Sequence, residues 1–119
     1  MNSYHDLIVW QKSMLLAKEI YRVTRLLPIT EQYGLCDQLR RASVSVPSNI
    51  AEGFSRKSVK ENAQFISIAF ASTSEIDTQL LLAQELNMIS AHEIEYSAAL
   101  LLEVRKMLNV MLSRLKSNG

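Results

Sequence analysis

The sequence predicts an all-α protein, an antiparallel up-down-up-down four-helix bundle, on three observations. Apolar residues recur at three- and four-residue steps through four successive segments, the spacing that lines one face of a helix. Turn formers are scarce, with three Gly and two Pro among 119 residues of which 48% are hydrophobic. No alternating apolar runs are joined by Asn-Gly or Asp-Gly turns, as a β-protein would require. Two capping boxes, Ser58 to Glu61 and Ser90 to Glu93, mark helix starts, because each offers a hydroxyl and a carboxylate to orphan backbone donors. One domain over residues 1–119 is expected, since a chain of this size buries about two-thirds of its unfolded surface and builds its own core.

The first helix is expected from about Asp6 to Leu26, with Leu7, Trp10, Met14, Ala17, Tyr21 and Thr24 as its buried seam. Asp6 in the first turn and Arg22 and Arg25 in the last suit the helix dipole, and Pro28 closes the element. The second helix is expected to begin near Thr30 or Glu31, with Thr30 as N-cap. Its inward stripe is Leu35, Leu39, Ala42, Val46, Asn49 or Ile50, and Gly53, the last ending the helix. Pro47 has no N–H for the Ser43 carbonyl and its ring crowds that turn, so a kink or a restart is expected there.

The capping boxes set the third helix at about 59–87 and the fourth at about 91–117, each on the order of 40 Å long. The third shows Phe65, Ile68 or Ala69, Ser72, Ile76, Gln79 or Leu80, Ala83 and Leu86 at helical spacing. The fourth places Leu101, Leu108 and Leu115 on one seam and carries Leu100, Leu102, Val104, Met107, Val110 and Met111 besides. Leu80, Leu81 and Leu82 are consecutive in the third, and three successive residues sweep about 200° of a helix. A lone subunit would leave part of this apolar surface wet, so self-association is expected.

The net charge of +1, from 13 basic and 12 acidic residues, is no polycation, and total charge alone does not indicate a nucleic-acid partner. The signs are segregated, however. Residues 1–30 carry four basic and two acidic groups, a balance of +2, whereas 58–89 carry one and four, a balance of −3. Such elements suit docking on one another, within a chain or between copies. The single cysteine, Cys36, excludes an intramolecular disulfide and suits a buried, reduced thiol in a cytoplasmic protein. No apolar run approaches the roughly 18 residues of a membrane helix, and the N-terminus lacks an export signal's charged lead and apolar core.

His5 and His92 are the only histidines, and neither stands three residues after a Glu, which argues against the di-iron site of some helix bundles. Glycines at 34, 53 and 119 form no phosphate loop, and the serines lack a nearby base. The expectation is no enzyme activity, no metal and no cofactor.

Two polar constellations remain. On the second helix Arg40, Arg41, Ser45, Asn49 and Glu52 face Ser72, Glu75 and Gln79 of the third, read as a register-setting structural network with a ligand or nucleic-acid site as the alternative, and Arg40 or Arg41 is expected to pair with Glu75. Lys18, Arg22 and Arg25 form a basic stripe at steps of four and three, suited either to a solvated face or to phosphate contacts. Arg56 with Lys57 and Arg105 with Lys106 would widen that patch if they fall on the same side.

The chain resembles the four-helix-bundle proteins called 23S ribosomal RNA intervening-sequence proteins over nearly its whole length. The resemblance rests on Tyr4-x-Asp6-Leu7-x-Val9-Trp10-Gln11, on Tyr33-Gly34-Leu35-x-x-Gln38-Leu39-Arg40-Arg41-Ala42 and on Ser45-Val46-Pro47-Ser48-Asn49-Ile50-Ala51-Glu52-Gly53. It continues in Ile68-Ala69-x-Ala71-Ser72-x-x-Glu75 and Gln79-Leu80. Ala71 departs from the family pattern, which has Gly there, and its methyl group is expected to loosen a close helix contact. The resemblance implies genes within insertions of bacterial large-subunit ribosomal RNA genes, and a ring-like homo-oligomer, a pentamer. A related branch, the accessory variability proteins of diversity-generating retroelements, forms rings that bind nucleic acid and a reverse transcriptase. The resemblance implies no catalytic residues. The expected function is therefore a non-enzymatic oligomer that binds RNA or a nucleic-acid-processing protein, and the alternative is a protein-interaction scaffold with no nucleic-acid role.

Overall fold

Four helices account for most of residues 3–118, the part of the chain that the computed structural model describes; the extreme ends of the expected 1–119 domain lie outside it. They are α1 (Ile8–Thr24), α2 (Leu35–Ser55), α3 (Val59–Glu85) and α4 (Glu95–Asn118), with single 3-10 turns at Tyr4–Asp6, Ile29–Glu31 and His92–Ile94. No strand occurs among the described residues. Each helix packs on two others: α1 and α3 both touch α2 and α4, and the α2–α3 contact is the broadest. The bundle measures 44 × 21 × 20 Å, its long axis set by α3, whose 27 residues span about 40 Å at 1.5 Å each.

Contacts between helices advance along one as they retreat along the other. Gly53 of α2 lies against Asn62 and Phe65 of α3, whereas Ser45, earlier in α2, meets Ser72, later in α3. Lys12 of α1 pairs with Glu103 of α4 at 2.9 Å, and Arg22, later in α1, reaches the Glu93 carbonyl just before α4.

The core of α1 is not the expected seam but one residue out of phase with it: Val9, Ser13, Leu16, Ile20 and Val23, joined by Thr24. Leu7, Trp10, Met14 and Ala17 are half-buried and Tyr21 is exposed. Both registers share the three-four spacing, and aliphatic content decides between them. Leu16, Ile20 and Val23 fill the center completely, whereas Trp10 is drawn to the 3-10 turn, its ring 5.3 Å from that of Tyr4 and 5.0 Å from that of His5.

α2 begins at Leu35, several residues later than expected, and Thr30 lies in a 3-10 turn with no side-chain cap. The Glu31 carboxylate serves that start, accepting from the Leu35 N–H at 3.3 Å. The inward stripe is as read, with Leu35, Leu39, Ala42, Val46, Ile50 and Gly53 all buried. Pro47 sits buried inside the helix, which does not restart there. Gly53 does not end α2; the helix runs on to Ser55. A Cβ at position 53 would stand 3.1 Å from Asn62 Oδ1 and 3.2 Å from Phe65 Cβ, so this glycine permits close approach of α2 and α3. Ala71, by contrast, is exposed, and its methyl group crowds no core contact.

α3 buries Ile66, Ala69, Ser72, Thr73, Ile76, Leu80 and Ala83, while Ile68 and Leu86 of the expected seam are exposed and Phe65 is half-buried. It ends in a Schellman motif: the Asn87 N–H donates to the Gln84 carbonyl and the Met88 N–H to the Ala83 carbonyl, with Asn87 at a φ of 61°. α4 buries a broad face, Ser97, Leu100, Leu101, Val104, Leu108 and Leu112, so several leucines of the expected surplus belong to the core; Leu115 is half-buried.

Candidate functional site: a polar groove between α2 and α3

The face where α2 meets α3 carries polar side chains at the middle of both helices. Ser72 Oγ donates to Ser45 Oγ at 2.8 Å, and Asn49 Nδ2 donates to the same oxygen at 2.9 Å and to the Ser45 carbonyl at 2.8 Å. These bonds satisfy the small hydroxyls and form the floor of a cavity of about 370 Å³, lined by Gln38, Arg41, Ala42, Ser45, Ser72, Glu75 and Gln79. All seven belong to the segments that carry the family resemblance.

Five of the eight residues expected as one network line this cavity: Arg41, Ser45, Ser72, Glu75 and Gln79. Asn49 supports it from below. Arg40 and Glu52 belong elsewhere. Arg40 Nε donates to Thr24 Oγ1 at 3.1 Å and its guanidinium lies 5.6 Å from the center of the Tyr21 ring. Glu52 accepts from Arg56 Nη2 at 2.9 Å, one helical turn away.

The expected ion pair to Glu75 does not form. Arg41 leans instead toward Asp37, Nη1 to Oδ2 at 3.9 Å with both side chains largely exposed, too long for a hydrogen bond. Glu75 has no cationic partner among the described residues. Gln79 Oε1, one turn beyond Glu75, is buried and accepts no hydrogen bond. Gln38 was missed by sequence reasoning, although its spacing of three to Arg41 and seven to Ser45 places it on the same helix face.

The basic residues fall into two groups. Three are held inside the chain. Arg22 Nε pairs with Glu19 Oε2 at 2.6 Å and its Nη2 donates to the Glu93 carbonyl at 3.0 Å. Arg56, besides pairing with Glu52, covers the Phe65 ring at 4.8 Å. Arg105 Nη1 donates to Thr73 Oγ1 at 3.1 Å and Ser74 Oγ at 2.9 Å, its guanidinium 4.7 Å from the Phe70 ring. Lys18, Arg25, Lys57 and Lys106 are exposed and make no ion pair among the described residues. The stripe on α1 thus retains two free cations, at its first and last positions.

Titratable side chains elsewhere serve the fold. Burial pushes the Cys36 thiol up, and its Sγ donates to the Thr24 carbonyl at 3.4 Å. The Glu93 carboxylate is held below the usual range, first by the Ser90 N–H that donates to it in the capping box and then by the nearby Ser90 hydroxyl. Among the described residues no cluster of three or more His, Cys, Asp or Glu is placed to hold a metal, and no helix is long and apolar enough to cross a membrane.

Fold and groove together define a helix-bundle protein whose inter-helix site is polar rather than an apolar ligand pocket. The chain belongs to the 23S rRNA-intervening sequence protein family, which matches residues 5–110. It is similar in fold to a protein of unknown function from the S23 ribosomal protein family of Bacteroides thetaiotaomicron. The two are 23% identical, with a TM-score of 0.80 over 88% of this chain and 98% of the other. No curated protein matches the chain.

Proposed function

We propose that this protein is a non-enzymatic bundle that works as an assembly of its own copies and binds structured RNA or a ribonucleoprotein partner. The observation that carries the reading is the apolar surface left by the core. Leu81 on α3, Leu86 at its C-cap, and Tyr96 and Leu102 on α4 are each more than half exposed. Leu81 and Leu102 line one groove between the two helices with Ile94 and Leu101, so these two exposed leucines form one patch rather than scattered points. Burying such side chains against another copy contributes about 25 cal/mol for each Å² removed from water.

RNA enters through the cations that the fold leaves free. Lys18, Arg25, Lys57 and Lys106 are exposed and unpaired among the described residues, and the family name points to ribosomal RNA. A near-neutral chain gives weak, salt-sensitive binding, and repetition in an assembly multiplies the contacts. The test is a low-salt gel shift with structured ribosomal RNA. The wild type is expected to be retained, and joint replacement of Lys18, Arg25, Lys57 and Lys106 by Gln to abolish retention. No retention of the wild type, or equal retention of the variant, would overturn the RNA assignment.

A protein scaffold is the second reading, favored by Asp77 and Glu85, which stand on α3 beside Leu81 and Leu82 without an ion pair among the described residues. Affinity capture with and without nuclease separates the two: a scaffold keeps its partner after nuclease treatment.

A further inference from the structure

We propose that the α2–α3 groove is a binding site for a small zwitterion of the α-amino-acid class. Arg41 and Glu75, opposite in charge, line one cavity and do not close on each other. Arg41 is held only by a long contact to Asp37 across exposed surface, worth little and easily exchanged for a better anion. Its guanidinium offers paired donors of the geometry a carboxylate accepts. On the α3 side the exposed Glu75 carboxylate has no cationic partner among the described residues, and Gln79, one helical turn beyond it on the same face, lines the same cavity. Gln79 Oε1 is buried and unmet, a standing cost that is relieved when the side chain turns into the cavity and accepts a ligand N–H. An ammonium group carries three such donors and one positive charge.

The demand is therefore for a cationic donor at one wall and a carboxylate at the other, within a single small ligand. The volume of about 370 Å³ lies at the small end of the range of about 300–1,000 Å³ for ligand pockets. The floor is already satisfied, because Ser45, Ser72 and Asn49 bond to one another. Recognition thus falls to the charged walls and Gln79. The proposal rests on neither assembly nor RNA, and its test involves neither.

The experiment titrates the common free α-amino acids, one at a time and up to about 10 mM, into the full chain by calorimetry, a range that reaches millimolar dissociation constants. At least one is expected to saturate. Its analogue lacking the carboxylate and its analogue lacking the ammonium are each expected to bind at least about tenfold more weakly. Glu75→Gln and Arg41→Gln, both surface changes that leave the core intact, are expected to lower affinity by a similar factor. No saturation by any amino acid overturns the proposal, as does equal binding of the analogues or of the variants. A double-mutant cycle that shows Arg41 and Glu75 coupled in the ligand-free chain overturns it too, because the two walls would then satisfy each other.

Discussion

Ser72 and Ser45 join α3 to α2 through a single hydroxyl–hydroxyl bond of 2.8 Å, and Asn49 makes Ser45 Oγ the center of a three-residue network. Ser45→Ala removes the shared oxygen and leaves the buried Ser72 hydroxyl without a partner, while Asn49 keeps its bond to the Ser45 carbonyl. The expected loss is about 1–3 kcal/mol, because unmet polar groups cost more than the bond itself contributes. Urea unfolding checks it: the midpoint falls while the slope stays constant. An unchanged midpoint would show that the network does not hold the two helices together.

Gly53→Ala sets two effects against each other. Alanine gains roughly 0.5–1 kcal/mol over glycine inside a helix. The new Cβ stands 3.1 Å from Asn62 Oδ1, 3.2 Å from Phe65 Cβ and 3.3 Å from the Asn62 carbonyl oxygen, two of which belong to or adjoin the α3 backbone. Overpacking of that kind costs about 1–3 kcal/mol, so crowding wins. Thermal unfolding of the variant is expected below that of the wild type; a rise would mean that the helices separate freely here.

Asn87 closes α3 in the left-handed region, at a φ of 61°. Asparagine tolerates this conformation better than most residues, and glycine better still. Asn87→Ala is expected to cost about 1 kcal/mol and Asn87→Gly to be neutral or mildly stabilizing, because glycine's larger unfolded-state freedom offsets the relief. Paired melting curves that rank alanine above glycine would contradict the capping role.

Glu93 accepts from the Ser90 N–H at 2.9 Å, and the Glu93 N–H donates to Ser90 Oγ at 3.2 Å. The folded state lowers the pKa of this carboxylate, so its contribution to stability is full above the ordinary, unfolded carboxylate value and is lost as pH falls through the lower, folded value. Glu93→Gln keeps an acceptor but cannot titrate. The melting temperature of the variant is expected to fall less than that of the wild type on acidification from neutral pH to below 4. Parallel curves for the two proteins would contradict a titrating cap.

The fold was legible where one pattern had one solution. The capping boxes located α3 and the start of the last helical stretch, and the small, apolar stripe of α2 was read residue for residue. α1 was not, because two seams one residue apart share its spacing; sequence weighs Trp10 and Tyr21 as core, while packing prefers Leu16, Ile20 and Val23. The late start of α2 was hidden because Thr30 is a good capping residue that the chain uses in a 3-10 turn instead. At the groove, helix faces were enough to bring Ser45, Ser72, Glu75 and Gln79 together. Periodicity places a long side chain on a face but not its end group, so the orientation of Arg40 toward Thr24 and of Arg41 toward Asp37 was beyond it.

Assembly is the claim on which the functional account turns, and solution mass tests it most directly. Light scattering on the full chain at micromolar concentration is expected to give a multiple of 13.5 kDa, and Leu81→Lys with Leu102→Lys is expected to lower it. A wild-type mass of one 13.5 kDa chain would contradict the account.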